Sequence, residues 1–83
     1  AYSILNGEYE VIEADIIETS ELINKELKNA NLPDEIRIGA ILRGKDIIIP
    51  RSNYIFQKDD KVVLLVKNDQ IAVVENMFRI SAN

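Results

Sequence analysis

The chain has 83 residues, 47% of them hydrophobic and 29% charged, with a formal net charge of -4. It contains no cysteine and no histidine, which excludes disulfides and thiolate zinc sites and removes the commonest general base and metal ligand. A pI of about 4.7 argues against a nucleic-acid polymer as partner, because phosphate backbones call for a basic face.

The length allows one domain. A domain this small buries only about 60–65% of the surface its extended chain exposes, so a partner surface would reinforce a modest core. No stretch reaches the ~18 apolar residues of a membrane span. Ala1-Tyr2-Ser3-Ile4 has neither the basic nor the apolar region of a signal peptide. The expected location is the cytoplasm.

The charge is uneven. Residues 1–35 hold nine acids against two bases, and residues 36–83 hold eight bases against five acids. Such asymmetry fits a small anion on the second half, or simply a solvated charge distribution.

Residues 1–7 read as a loosely tethered leader ending in the Asn6-Gly7 turn signal. From Glu8 to Ile17 the pattern alternates, with Ile12, Ala14 and Ile16 on one face and Glu13 and Asp15 on the other, which predicts a half-buried strand. Thr19-Ser20 offers an N-cap, Glu21 suits the first turn of a helix, and Leu22, Ile23 and Leu27 form a stripe. The spacing predicts a short helix over 20–29. A second strand follows, with Ile36, Ile38, Ala40 and Leu42 on one face. Gly44-Lys45 is a tight turn into a third strand, Asp46–Ile49, making a β-hairpin that Pro50 stops. Residues 51–60 are a loop. Lys61–Lys67 is apolar on both faces, which predicts a central strand covered twice. Lys67-Asn68-Asp69 reads as a helix cap, and Ile71, Val74 and Phe78 predict a helix over 69–79, with a frayed tail beyond it.

The fold class is α+β, in the order β-α-β-β-β-α, with a mainly antiparallel sheet of about four strands and two short helices. Two short helices cannot cover both faces of the sheet. A second copy of the chain is the simplest cover, so a homodimer is expected.

Several pieces together resemble one family. Ile38-Gly39-Ala40-Ile41-Leu42-Arg43-Gly44-Lys45-Asp46-Ile47-Ile48-Ile49-Pro50 looks like the signature hairpin of the TrkA-C (RCK-C) family. Asp59-Asp60 stands where that family has Gly-Asp before an apolar strand. Ser20-Glu21-Leu22-Ile23-Asn24-Lys25-Glu26-Leu27 is similar to its Ser-x-Leu-Ile/Val-Gly-Lys-x-Leu segment, and Val74-Glu75-Asn76-Met77-Phe78 to its closing segment. The resemblance runs from about Tyr9 to Phe78, with the domain itself expected over residues 8–80. Asn24 and Asp59 replace glycines of the family pattern, and both types tolerate φ > 0. Ser52 replaces a third.

The resemblance implies a dimeric regulatory domain downstream of a Rossmann-type domain that binds NAD or another nucleotide. It implies a cytoplasmic subunit of a potassium-uptake system, held at the inner face of the plasma membrane by a membrane transporter partner. This chain has no Gly-x-Gly-x-x-Gly, so no nucleotide cofactor is expected within it, and it is expected to be part of a longer regulator. Some relatives bind a cyclic dinucleotide at the dimer interface. A purely structural dimerisation module and a sensor on another cation or anion transporter are the alternatives.

The candidate ligand residues are Arg43, Arg51, Asn53 and Arg37, with Gly44, Pro50 and Asp60 as structural turn positions. Arg43 at the hairpin turn offers a planar fork for phosphate or carboxylate, or simply pairs with Asp46. Arg37 lies six residues before Arg43, hence on the same face by strand alternation and about 20 Å away. Tyr54 and Phe56 would stack on a base or, more ordinarily, anchor the loop on the core. No nucleophile and base pair can be assembled without His or Cys unless Lys or a carboxylate serves, so no enzyme activity is expected.

Overall fold

A computed structural model of the chain describes residues 2–81. It holds six strands: β1 (Tyr2–Ile4), β2 (Tyr9–Ile16), β3 (Ile36–Arg43), β4 (Asp46–Ile48), β5 (Lys61–Lys67) and β6 (Phe78–Ile80). They form one antiparallel sheet in the order β1-β2-β5-β3-β4. The outer edge of β2 is shared, with β1 pairing residues 9–11 and β6 pairing residues 14–16. The α+β class stands, with two more strands and less helix than the sequence suggested.

β5 is central, as its composition predicts, lying between β2 and β3. Cross-strand partners share a face of the sheet, so the registers define two surfaces. The inner face carries Ile12, Ala14 and Ile16 of β2, Val62, Leu64 and Val66 of β5, Ile36 and Ile41 of β3, and Phe78 of β6. All of these are buried, and Leu22, Phe56 and Val74 close over them from the connecting segments. Each large side chain so buried stabilises the fold by about 1.5–3 kcal/mol. The outer face carries Tyr2, Ile4, Tyr9, Val11, Val63, Leu65, Ala40, Leu42 and Ile47. Within a single chain β5 is covered on one side: its inner residues are buried and its outer ones remain half-exposed.

β3 departs from simple alternation. The register with β5 shifts between Ile38 and Ala40, a bulge centred on Gly39, a position where glycine favours such an irregularity. Ile36 and Ile41 face inward while Ala40 and Leu42 turn outward. The single apolar face expected over Ile36–Leu42 is split between the two sides.

The predicted helix over 20–29 does not form. Ser20 Oγ accepts from the Leu22 N–H at 3.1 Å, but it closes a turn and caps no helix. The chain then makes a turn, and Asn24 takes φ +69°, which ends any right-handed helix. The backbone of 24–28 binds the 51–60 loop instead. Asn24 N–H donates to Phe56 C=O at 2.8 Å, Phe56 N–H to Lys25 C=O at 3.0 Å, Leu27 N–H to Tyr54 C=O at 2.8 Å and Lys28 N–H to Ser52 C=O at 2.9 Å. A single 3₁₀ turn, Leu27–Asn29, is all that remains helical there.

The second predicted helix is shorter than expected. A 3₁₀ turn at Asn68–Gln70 runs into α1 (Ile71–Glu75), and the chain then enters β6. Asn68 does not cap with its side chain, which donates to Gly7 C=O at 3.1 Å. Phe78 is buried by pairing beside β2 and not by a continuing helix. The leader is also corrected, since residues 2–4 form a strand. Of the expected tail, Ile80 lies in β6, and residues 82 and 83 fall outside the described residues.

Candidate functional site: the hairpin cluster and the open sheet face

β3 and β4 form the expected hairpin, with Arg43 opposite Asp46 and the two-residue turn Gly44-Lys45 between them. Gly44 takes φ +60°, a conformation that costs a β-carbon about 1–2 kcal/mol. The strand after the turn ends at Ile48, which leaves Ile47 and Ile49 69% and 72% exposed at the sheet edge.

The bulge at Gly39 decides where the two arginines go. It reverses the alternation between Arg37 and Arg43, so Arg43 shares the inner face with Ile41 while Arg37, opposite Leu65, points outward. The same-face expectation is corrected on this ground. Arg37 sits 3.9 Å from Asp34, both well exposed, a pair worth little.

Arg43 is the centre of a built cluster. Its Nη2 lies 3.2 Å from Oδ1 of Asp60 and donates to the Tyr54 hydroxyl at 2.7 Å. Tyr54 in turn donates to Oδ2 of Asp60 at 2.6 Å, and the Gln57 N–H donates to the same oxygen at 2.9 Å. Asp60 is 5% exposed, so a carboxylate taken out of water is compensated by three donors. The Tyr54 ring meets Phe56 edge-on at 5.7 Å, which ties the polar cluster to the core. Asp59 adopts φ +69°, as its replacement of glycine implies, and this aims Asp60 inward.

The electrostatics follow from that geometry. Burial first, and then the hydrogen bond to Asp60, push the Tyr54 hydroxyl up to about 12. The hydrogen bond to Asp60 also raises the Arg43 guanidinium. Tyr54 therefore stays a neutral donor and Arg43 a cation.

Arg51 and Asn53 are exposed in the loop that carries Tyr54 and Asp60. The Arg51 carbonyl accepts from the Tyr54 N–H at 3.0 Å, a turn around Ser52 and Asn53. The cluster thus joins the Arg51–Asn53 loop to Arg43 and excludes Arg37. Sequence reasoning missed that Asp60, rather than Asp46, holds Arg43. The only available signal was an acid at the entry to the central strand.

The second candidate surface is the outer face of the sheet. Apart from Ala40, each of its apolar residues is at least partly exposed, and none belongs to the side chains packed against the core cluster. Charged residues share this face: Glu13 stands opposite Val63 and Arg37 opposite Leu65, with Asp15 opposite Lys61 and Lys67 opposite Tyr9 toward its ends. Asp15 and Lys61 pair at 3.6 Å. Among the described residues no helix is long and apolar enough to cross a membrane.

Comparison with known proteins places this arrangement. The chain is 38% identical over 80 residues to the Trk system potassium uptake protein TrkA of Azorhizobium caulinodans, covering 96% of this chain and 18% of that protein. It is 34% identical over 64 residues to a TrkA homolog of Archaeoglobus fulgidus, covering 77% of this chain and 15% of that protein. To the TrkA of Haemophilus influenzae it is 31% identical over 74 residues, covering 88% and 16%. The chain spans less than a fifth of the length of these curated relatives. The model of the TrkA-C domain matches residues 11–79, from within β2 to within β6, and the chain belongs to the TrkA-C domain family.

Proposed function

We propose that the chain is the regulatory and dimerisation domain of a cytoplasmic subunit that controls potassium uptake, and that it responds to a small anionic ligand such as a cyclic dinucleotide. The observation that carries this reading is the open outer face of the sheet. A TrkA-C domain with nine apolar positions on one face, all but Ala40 at least partly exposed, has a surface suited to a second copy. Two copies meeting there give a two-fold interface. A ligand held across that interface would shift the angle between subunits by its differential affinity for the two arrangements. That shift would pass to the nucleotide-binding domain expected upstream and to the membrane transporter subunit.

Arg51 and Asn53 are the better ligand candidates, being exposed and uncommitted to the core. Arg43 serves best as the post that holds their loop, since Asp60 and Tyr54 engage its guanidinium. That engagement is also what favours a second reading, a structural dimerisation module that binds nothing small.

A thermal-shift panel with cyclic dinucleotides, ATP, ADP, NAD, NADH and simple anions separates the two. A ligand at 100 times its Kd stabilises by about 2.7 kcal/mol. That corresponds to a rise of ten degrees or more at about 4–8 °C per kcal/mol. A rise with one anion, lost in Arg51→Ala, supports sensing. Arg51→Ala is the right variant because Arg43→Ala would also strip Asp60 of its partner. A flat panel leaves the structural module.

A further inference from the structure

The segment that joins β1 to β2 is strained. Leu5 and Asn6 take φ +51° and +58°, and Gly7 takes φ +87°, three successive residues in the left-handed region. Asparagine and glycine tolerate this, whereas a leucine there is strained by its β-carbon. Leu5 gains no burial in return, being 65% exposed. Immediately after the segment the chain is pinned. Gly7 C=O accepts from the Asn68 side chain at 3.1 Å, and Glu8 C=O accepts from the Asn68 N–H at 2.8 Å. Before it, β1 contributes three residues that pair only with residues 9–11 of β2. A short arm, a strained elbow and a fixed shoulder are the parts of an exchangeable strand.

We propose that β1 is such an arm: the elbow at Leu5–Gly7 straightens and β1 pairs with β2 of a second copy, in the register it now makes with its own. The exchange keeps every β1–β2 backbone bond and relieves the left-handed leucine, giving up only the Glu8 N–H to Leu5 C=O bond, 3.1 Å, that closes the elbow. It also has the reach. Three extended residues span about 10 Å, the distance between two sheets packed face to face. The contact that brings the partner's β2 close is continuous with the arm, because Tyr2 and Ile4 lie on the outer face beside Val11 and Tyr9. This inference rests on the reading of that face as a self-association surface and adds the exchange of a strand across it.

Tyr2 and Val11 are direct cross-strand partners, and antiparallel partners stand at a Cα separation a disulfide can bridge. The chain has no cysteine of its own, so the variant Tyr2→Cys/Val11→Cys reports one pairing only. After air oxidation it is run on denaturing, non-reducing electrophoresis, and the same sample is sedimented under native conditions. Exchange predicts a covalent dimer that reductant converts to monomer. Added to this background, Leu5→Gly should move the arm about tenfold toward its own β2 and shrink the covalent-dimer band. Leu5→Pro, whose φ cannot be positive, should enlarge it. A native dimer that runs as an internally bridged monomer would overturn the exchange and leave the outer-face dimer standing. A native monomer that is internally bridged would overturn both.

Discussion

The two faces of this sheet are built from the same strands yet end in different states. Inward, Ile12, Leu64 and Ile41 are sealed by Leu22, Phe56 and Val74. Outward, Val11, Val63, Leu65 and Leu42 are as apolar but lack such a cover within the core cluster. The difference lies in the connections. The segments after β2, β4 and β5 supply the inner cover, while β1 and the hairpin tip only extend the outer face sideways. A chain of 83 residues closes one side of this six-stranded sheet, and the proposed second copy would close the other.

The contrast can be broken by substitution, and the largest effect belongs to the inner face. Phe56→Ala should lower stability by about 3–5 kcal/mol in denaturant titrations, because the ring is fully buried. Asp60→Ala comes next. It leaves the Tyr54 hydroxyl and the Gln57 N–H without their acceptor and should cost about 2–3 kcal/mol by the same measurement. On the outer face, Val63→Lys should cost the monomer about 1 kcal/mol or less while removing self-association. Equal losses at Phe56 and Val63 would mean that the outer face is sealed within a single chain.

Smaller effects sharpen the picture at the hairpin. Gly44→Ala should cost about 1 kcal/mol through backbone strain alone, since a β-carbon there meets no atom within 4 Å. A further effect is alkaline. The Tyr54 hydroxyl is raised in the folded state to about 12 from an ordinary value near 10. Its stabilising contribution is complete below pH about 10 and is lost as pH rises toward 12. Thermal melts across that window should show a decline that Tyr54→Phe reduces, and a decline unchanged in Tyr54→Phe would dissociate it from this group.

Much of this was legible in the chain. The β3–β4 hairpin followed from a glycine turn between apolar runs, and the centrality of β5 from its continuous apolar stretch. The alternation of β2 was plain in Ile12, Ala14 and Ile16. What stayed hidden depended on distant backbone bonding. Leu22, Ile23 and Leu27 fit a helical stripe, but the 24–28 backbone finds better partners in the 52–56 loop. Val74 and Phe78 fit another, but Phe78 joins a free stretch of the β2 edge. Gly39 within a strand was a signal for the bulge, and missing it put Arg37 and Arg43 on one face. At the site, Arg43 was readable from its place at the turn. Its partner Asp60, seventeen residues on, was marked as a turn position but not as the partner, because Asp46 lies opposite Arg43 across the hairpin and is the nearer acid in sequence.

The measurement closest to the central claim is sedimentation velocity at tens of micromolar on the natural chain and on Val63→Lys/Leu65→Lys, with circular dichroism to establish that both are folded. The account predicts a dimer for the first and a folded monomer for the second. A natural chain that sediments as a monomer, or a dimer that survives both lysines, would contradict it.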